Sequence, residues 1–285
     1  MGNSRIIHTS YQTHTNMSPI KAHEFDVSAL TTKDVVTRPS NGMKVVATRY
    51  SGSILKIQTP RMSQIFDIGE PPQASEGIPT YNFNLNFRGV DTDPKLRTFL
   101  DAMTAIDKFN LDYAQKHSAE LFGKFTKPEI VEEFHKPIVK FSTKRTTEGA
   151  QYPPTMKVKL RFRNDRPDFT VYDLGRKELS VIDENGQADL SMFQQGTKMI
   201  NLLEYGGIWI VGKSFGATWK VVQSRIYSED TFKGCAIVDS DDSDDEDSGS
   251  AVSPEVAVTD AVSQLIIDDS DTVVDTEDTE TADAF

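Results

Sequence analysis

The sequence predicts a mainly β protein with one long helix, an α+β class built on a closed or partly closed antiparallel barrel, followed by a disordered acidic tail. Three observations predict it. Alternating apolar and polar residues recur on both sides of a single helix-period segment, residues 94–122, without the strand–helix alternation of a parallel sheet. Gly, Pro and Asn-Gly punctuation separates several of the β-type runs. From Asp239 to Phe285 the chain holds 13 Asp and 4 Glu but no Lys, Arg or His. Such a segment cannot bury enough apolar surface to offset its ordering entropy. The expected boundaries are a loose polar arm over 1–22, one domain over 23–238 and the tail over 239–285.

The elements follow in chain order. Residues 1–22 are rich in Ser, Thr, Asn and His and show no periodicity. Residues 44–50 and 53–59 flank Ser51-Gly52 and read as a hairpin. Tyr81, Phe83, Leu85 and Phe87 alternate with Asn82, Asn84 and Asn86, the pattern of a half-buried strand. The long helix starts where Asp93 can accept from the first turn and Pro94 fills a position whose missing N–H costs nothing. Leu96, Phe99, Leu100, Met103 and Ile106 repeat at helical spacing, and Gly123 stops the run. A short helix is expected over 128–134. Strand candidates follow at 138–142, 156–163, 169–172, 179–182, 198–203, 208–212 and 217–227. No internal repeat is present.

The net charge of −12 is uneven: with the tail's 17 carboxylates set apart, residues 1–238 carry +5. A basic body joined to an acidic string points to a body that binds a polyanion and a tail that competes for the same surface. The lone Cys235 excludes a disulfide framework. Neither a signal-type start nor a run of about 18 apolar residues occurs. A soluble intracellular protein without a membrane partner is therefore expected.

The strongest signal in the body is residues 156–163. Met156, Val158, Leu160 and Phe162 fall on one strand face; Lys157, Lys159, Arg161 and Arg163 fall on the other. Alternate strand residues repeat every roughly 6.6 Å, close to the phosphate spacing of an extended single strand. An ordinary solvated edge strand also carries Lys, which discourages aggregation. Four uncompensated cations in a row favour phosphate contact instead.

The second signal is residues 206–223, two β-type runs joined through Gly212-Lys213-Ser214-Phe215-Gly216. Both tryptophans, Trp209 and Trp219, lie here. A cationic, aromatic tip suits unstacked bases, since every base has a π face. Lys213, Phe215 and Lys220 are the exposed candidates; Trp209 and Trp219 serve either as core or as stacking residues. Gly207 to Ser214 also fits the G-x-x-x-x-G-K-S formula of a phosphate-binding loop. That loop must turn freely and open a helix, whereas the intervening Ile, Trp, Ile and Val form a strand profile. We therefore expect no nucleotide triphosphatase, and no enzyme of another kind. No zinc or calcium spacing and no cofactor motif is found.

The tail ends on Asp283, Ala284 and Phe285. A terminal ring beside a terminal carboxylate suits a partner with an apolar pocket and a basic rim. Gln264-Leu265-Ile266-Ile267 is a second docking candidate. Ser243, followed by Asp244, Asp245 and Glu246, suits an acid-directed kinase.

This combination resembles replication-type single-stranded DNA-binding proteins. The tail is similar to those of bacterial and bacteriophage members, which end on acidic residues and Phe. Gly207-Ile208-Trp209-Ile210, with the run from Gly216 to Gln223, resembles the single-stranded DNA-binding proteins of large DNA viruses of algae and amoebae. The resemblance implies an OB-fold core with insertions and sequence-independent binding of single-stranded DNA. It also implies roles in replication, repair or recombination, and tail contacts with polymerase, helicase or primase. Self-association is left open, as is a nuclear or cytoplasmic viral replication site. The alternative is an acidic-tailed, chaperone-like protein that holds basic partners and needs no nucleic-acid groove.

Overall fold

The computed structural model describes residues 19–39, 41–68, 80–147, 149–163 and 166–227. Residues 1–18, Cys235 and the acidic tail with Asp283 and Phe285 lie outside the described residues.

In chain order the strands and helices are β1 Ile20–Lys21, β2 Leu30–Thr37, β3 Lys44–Tyr50, β4 Lys56–Gln58, β5 Met62–Gln64, β6 Thr80–Asn86, α1 Pro94–Lys116, α2 Ser118–Phe122, α3 Pro128–Glu133, β7 His135–Lys136, β8 Val139–Lys140, β9 Thr155–Arg163, β10 Arg166–Pro167, β11 Thr170–Tyr172, β12 Glu178–Leu179, β13 Lys198–Val211 and β14 Ser214–Tyr227. The described residues are mostly β, with three α-helices, one of them long.

The hairpin of β13 and β14 is the spine, 14 residues in each arm. One edge of β13 takes three strands in succession. Residues 208–210 pair with β3, 202–204 with β4 and 198–199 with β5, all antiparallel. The outer edge of β14 takes β7, β9 and β11, all parallel. The sheet is therefore mixed, where the sequence led us to expect an antiparallel one. The pairings β13–β5–β6–β9–β14 return to β13. The closing seam between β9 and β14 is one registered pair, Lys159 with Lys220, so the circuit is not an evenly bonded barrel.

Several local expectations change. Residues 44–50 and 53–59 do not form a ladder. Only Tyr50 and Ser53 bridge across the turn, and β3 and β4 instead pair one after the other along the same edge of β13. The runs 198–203 and 208–212 fuse into one strand through a bulge at Gly206-Gly207. Gly207 has φ +86°, and a Cβ there would stand 2.4 Å from the Val46 carbonyl oxygen. Only glycine lets β3 approach this closely. The helix breaks at His117, giving α1 and α2 in place of one run. Its start is as expected: Asp93 accepts from the Lys95 N–H at 2.8 Å, with Pro94 in the first turn. The end of the polar arm is ordered, since Ile20–Lys21 adds a parallel strand to β4.

Packing explains the placement of the strands. Met156, Val158, Leu160 and Phe162 on β9 are all 2% exposed or less, and burying each is worth about 1.5–3 kcal/mol. Phe162 packs edge-on against Tyr81 and Phe169, and Phe169 continues to Phe193 and Phe83. The stripe Leu96, Phe99, Leu100, Met103 and Ile106 of α1 enters the same cluster. A second cluster, with Val46, Ala114, Leu121, Val131, Ile208, Ile210 and Phe215, packs the helices against the tip half of the spine. Buried Tyr205 ties the two layers by donating to Asn110 Oδ1 at 2.6 Å. That burial pushes its phenol pKa well above the ordinary value.

Candidate nucleic-acid interface

The face of β9 opposite the core carries the four predicted cations. Lys157 and Arg163 are exposed, and Lys159 and Arg161 are half-buried. The antiparallel partner β6 sets Asn84 opposite Lys157, Asn82 opposite Lys159 and Thr80 opposite Arg161. The residues that would repel a polyanion from this side are thus replaced by neutral hydrogen-bonding groups.

Registered residues form rows across the sheet. The first row is Lys56, Glu204, Lys220, Lys159 and Asn82. Beyond the bulge at Val222, a later row is Ile200, Arg225, Tyr172 and Glu178, and the last is Ser63, Lys198 and Tyr227. Lys220 thus lies beside the β9 cations, opposite Lys159. It is not a free charge, however: its Nζ lies 3.0 Å from Glu204 and 3.7 Å from Asp168. Glu204 also reaches Lys56 at 3.9 Å, and Asp168 reaches Arg163 at 3.8 Å. Neither Lys157 nor Arg161 has an ion-pair partner among the described residues. Among the described residues, this surface brings together Lys56, Lys157, Lys159, Arg161, Arg163 and Lys220, with Glu204 and Asp168 set between them.

Other predicted residues are placed elsewhere. Phe215 is fully buried, stacked on His135 at 5.1 Å and packed against Phe122. It cannot stack a base, and this corrects the expectation of an exposed aromatic tip. The turn consists of Gly212-Lys213 alone, with Gly212 at φ +56°. Ser214 and Phe215 already pair with Val211 and Ile210, so Phe215 follows the inward parity of Trp219. Trp219 is 2% exposed and stacks on Tyr205 at 5.0 Å, which makes it a core residue. Trp209 is half-buried, with its ring near Gly216, its cross-strand partner. Lys213 is exposed at the tip, but β14 separates it from Lys220 by seven residues, roughly 23 Å. The structure does not bring it to the β9 face.

Sequence reasoning missed Arg225 and Tyr227 at the other end of the spine, and read Arg61 only as added surface charge. Arg61 Cζ lies 4.1 Å above the Tyr227 ring, and Arg225 Cζ lies 5.2 Å from it. Arg225 Nη2 donates to the Tyr227 hydroxyl at 2.5 Å. The alternation Arg225-x-Tyr227 was a usable signal; the approach of Arg61, distant in sequence, was not.

The run from Gly207 to Ser214 leads from β13 through the turn into β14, with no helix after it, so it has no phosphate-loop geometry. Among the described residues, no group of three or more His, Cys, Asp or Glu is placed to hold a metal ion. No described helix is long and apolar enough to cross a membrane.

Residues 176–235 match a family described as "Family of unknown function (DUF5871)". No curated protein matches the chain. Among solved structures, the chain is similar to the single-stranded DNA-binding protein from bacteriophage Enc34 in complex with ssDNA. The identity is 14%, covering 70% of this chain and 97% of that one, with a TM-score of 0.39. It is also similar to gp2.5, a single-stranded DNA binding protein encoded by bacteriophage T7. There the identity is 11%, covering 65% and 92%, with a TM-score of 0.38.

Proposed function

We propose that the protein is a non-catalytic, sequence-independent single-stranded DNA-binding protein serving replication, repair or recombination. In this reading the β13–β5–β6–β9–β14 circuit works as an OB-type barrel with inserted helices. Lys157, Lys159, Arg161 and Arg163, joined by Lys220, track successive phosphates. Their repeat of roughly 6.6 Å along β9 matches an extended strand, and the buried core behind them holds the backbone rigid. The Asn82 and Asn84 side chains add neutral donors that suit sugar and base edges. One observation carries the reading: the strict alternation of β9, with four buried apolar residues under four outward cations.

The acidic tail competes for this face. Its 17 carboxylates are tethered to the body, and tethering holds them at roughly millimolar effective concentration. DNA displaces them and frees Asp283 and Phe285 for a polymerase, helicase or primase.

The test is a titration of fluorescent oligo-dT at two salt concentrations, with double-stranded competitor present. Neutralising about five phosphates gives a slope of log K against log salt near −3.5. Failure to bind oligo-dT, or equal displacement by duplex, overturns the reading.

A further inference from the structure

Burial of Phe215 and Trp219 leaves the proposed interface without the base-stacking residues that the sequence suggested. We propose that bases stack on the Arg61–Tyr227 pair, with Tyr172 and Arg225 beside it. This inference rests on the single-strand reading above and assigns its base-contacting end.

The geometry is that of a platform. Arg61 is exposed and lies over the ring of half-buried Tyr227 at 4.1 Å. A guanidinium plane on a phenol ring presents a second planar face to solvent, and nucleobases stack on arginine planes as they do on aromatic rings. Arg225 braces the ring from the side through its hydrogen bond to the hydroxyl. Tyr172 is registered opposite Arg225, and Lys198 opposite Tyr227. Ile200, opposite Arg225, and Leu202, one row further along opposite Gln223, are half-buried residues of β13 that give the platform an apolar floor. Glu178, opposite Tyr172 on β12, marks its anionic border.

Position along the strand supports the assignment. Tyr227 lies seven residues beyond Lys220 on β14, roughly 20 Å allowing for the bulge. A single strand whose phosphates lie on β9 reaches the platform within about three further nucleotides. The bland alternative is an ordinary surface cation–π pair, which occurs about once per 70–80 residues. Such a pair needs no apolar floor, and its removal changes nothing in DNA affinity.

The experiment compares full-length wild type, Tyr227→Leu and Arg61→Gln on oligo-dT and on an abasic deoxyribose-phosphate oligomer of equal length. Wild type is expected to prefer oligo-dT by about tenfold or more. Tyr227→Leu is expected to lose most of that preference with abasic affinity unchanged. Arg61→Gln, at an exposed position, loses the same preference and up to about fivefold of abasic affinity through its charge. Equal wild-type affinity for the two oligomers overturns the inference. So does retention of the preference in both variants, or a loss in Tyr227→Leu that is the same on both oligomers. A wild type that binds neither oligomer sinks the single-strand reading itself, a different result.

Discussion

Neutralising two cations of β9 gives a quantitative test of the interface. Lys157 and Arg161 point away from the core, and neither has an ion-pair partner among the described residues. Lys157→Gln with Arg161→Gln therefore removes charge without breaking a salt bridge. Val158 and Leu160, which hold the strand, are untouched and fully buried. Each phosphate contact on a single strand contributes about 0.7 to the salt slope. Five contacts give about −3.5, and losing two gives about −2.1. Relative to 1 M salt, that loss at 0.1 M amounts to about 1.4 decades, or roughly 25-fold, near 2 kcal/mol. The assay is oligo-dT titration between 0.05 and about 1 M salt, where the two affinity curves should converge. An unchanged slope, or a loss as large at 1 M as at 0.1 M, refutes phosphate tracking by these residues.

Four further outcomes are expected. Glu204→Gln removes one of the two carboxylates paired with Lys220 and the one paired with Lys56, and should tighten oligo-dT binding about fivefold at low salt, read by the same titration. Deleting residues 239–285 should raise affinity at low salt and leave it unchanged near 1 M; equal affinities at low salt count against tail competition. Gly207→Ala forces a Cβ against the Val46 carbonyl at positive φ. It should cost about 3 kcal/mol or more, and a melting curve should fall by roughly 6–12 °C. Tyr205 holds its proton more tightly folded than unfolded, so its contribution is complete below the ordinary tyrosine pKa of 10.0 and lost as pH rises above it. Melts between pH 8 and 11 should therefore decline less steeply in Tyr205→Phe than in wild type.

Much of the fold was legible because its signals are local. The alternation of residues 81–87 and 156–163 is written in neighbouring side chains, and both became strands with the expected buried faces. The cap at Asp93 and the stripe of α1 are equally local. What the sequence hid is non-local. Nothing adjacent to residues 44–50 or 56–58 shows that both pair with β13 rather than with each other. The mixed sheet arises because β14 meets β7, β9 and β11 in parallel, a choice made by the tertiary path. Phe215 was misplaced because Gly-Lys-Ser-Phe-Gly resembles a five-residue tip. The two-residue turn puts it back in strand parity, where the helices bury it. The carboxylates of Glu204 and Asp168 reach the cations only through cross-strand packing, so the basic face looked more uniform in sequence than it is.

The most direct measurement is lysine-modification footprinting of the full chain with and without bound oligo-dT. Lys157 and Lys159 should become protected, while Lys213 at the far tip of the spine should react as before. Protection of Lys213 with Lys157 and Lys159 left reactive would place the DNA elsewhere and contradict the assignment of the β9 face.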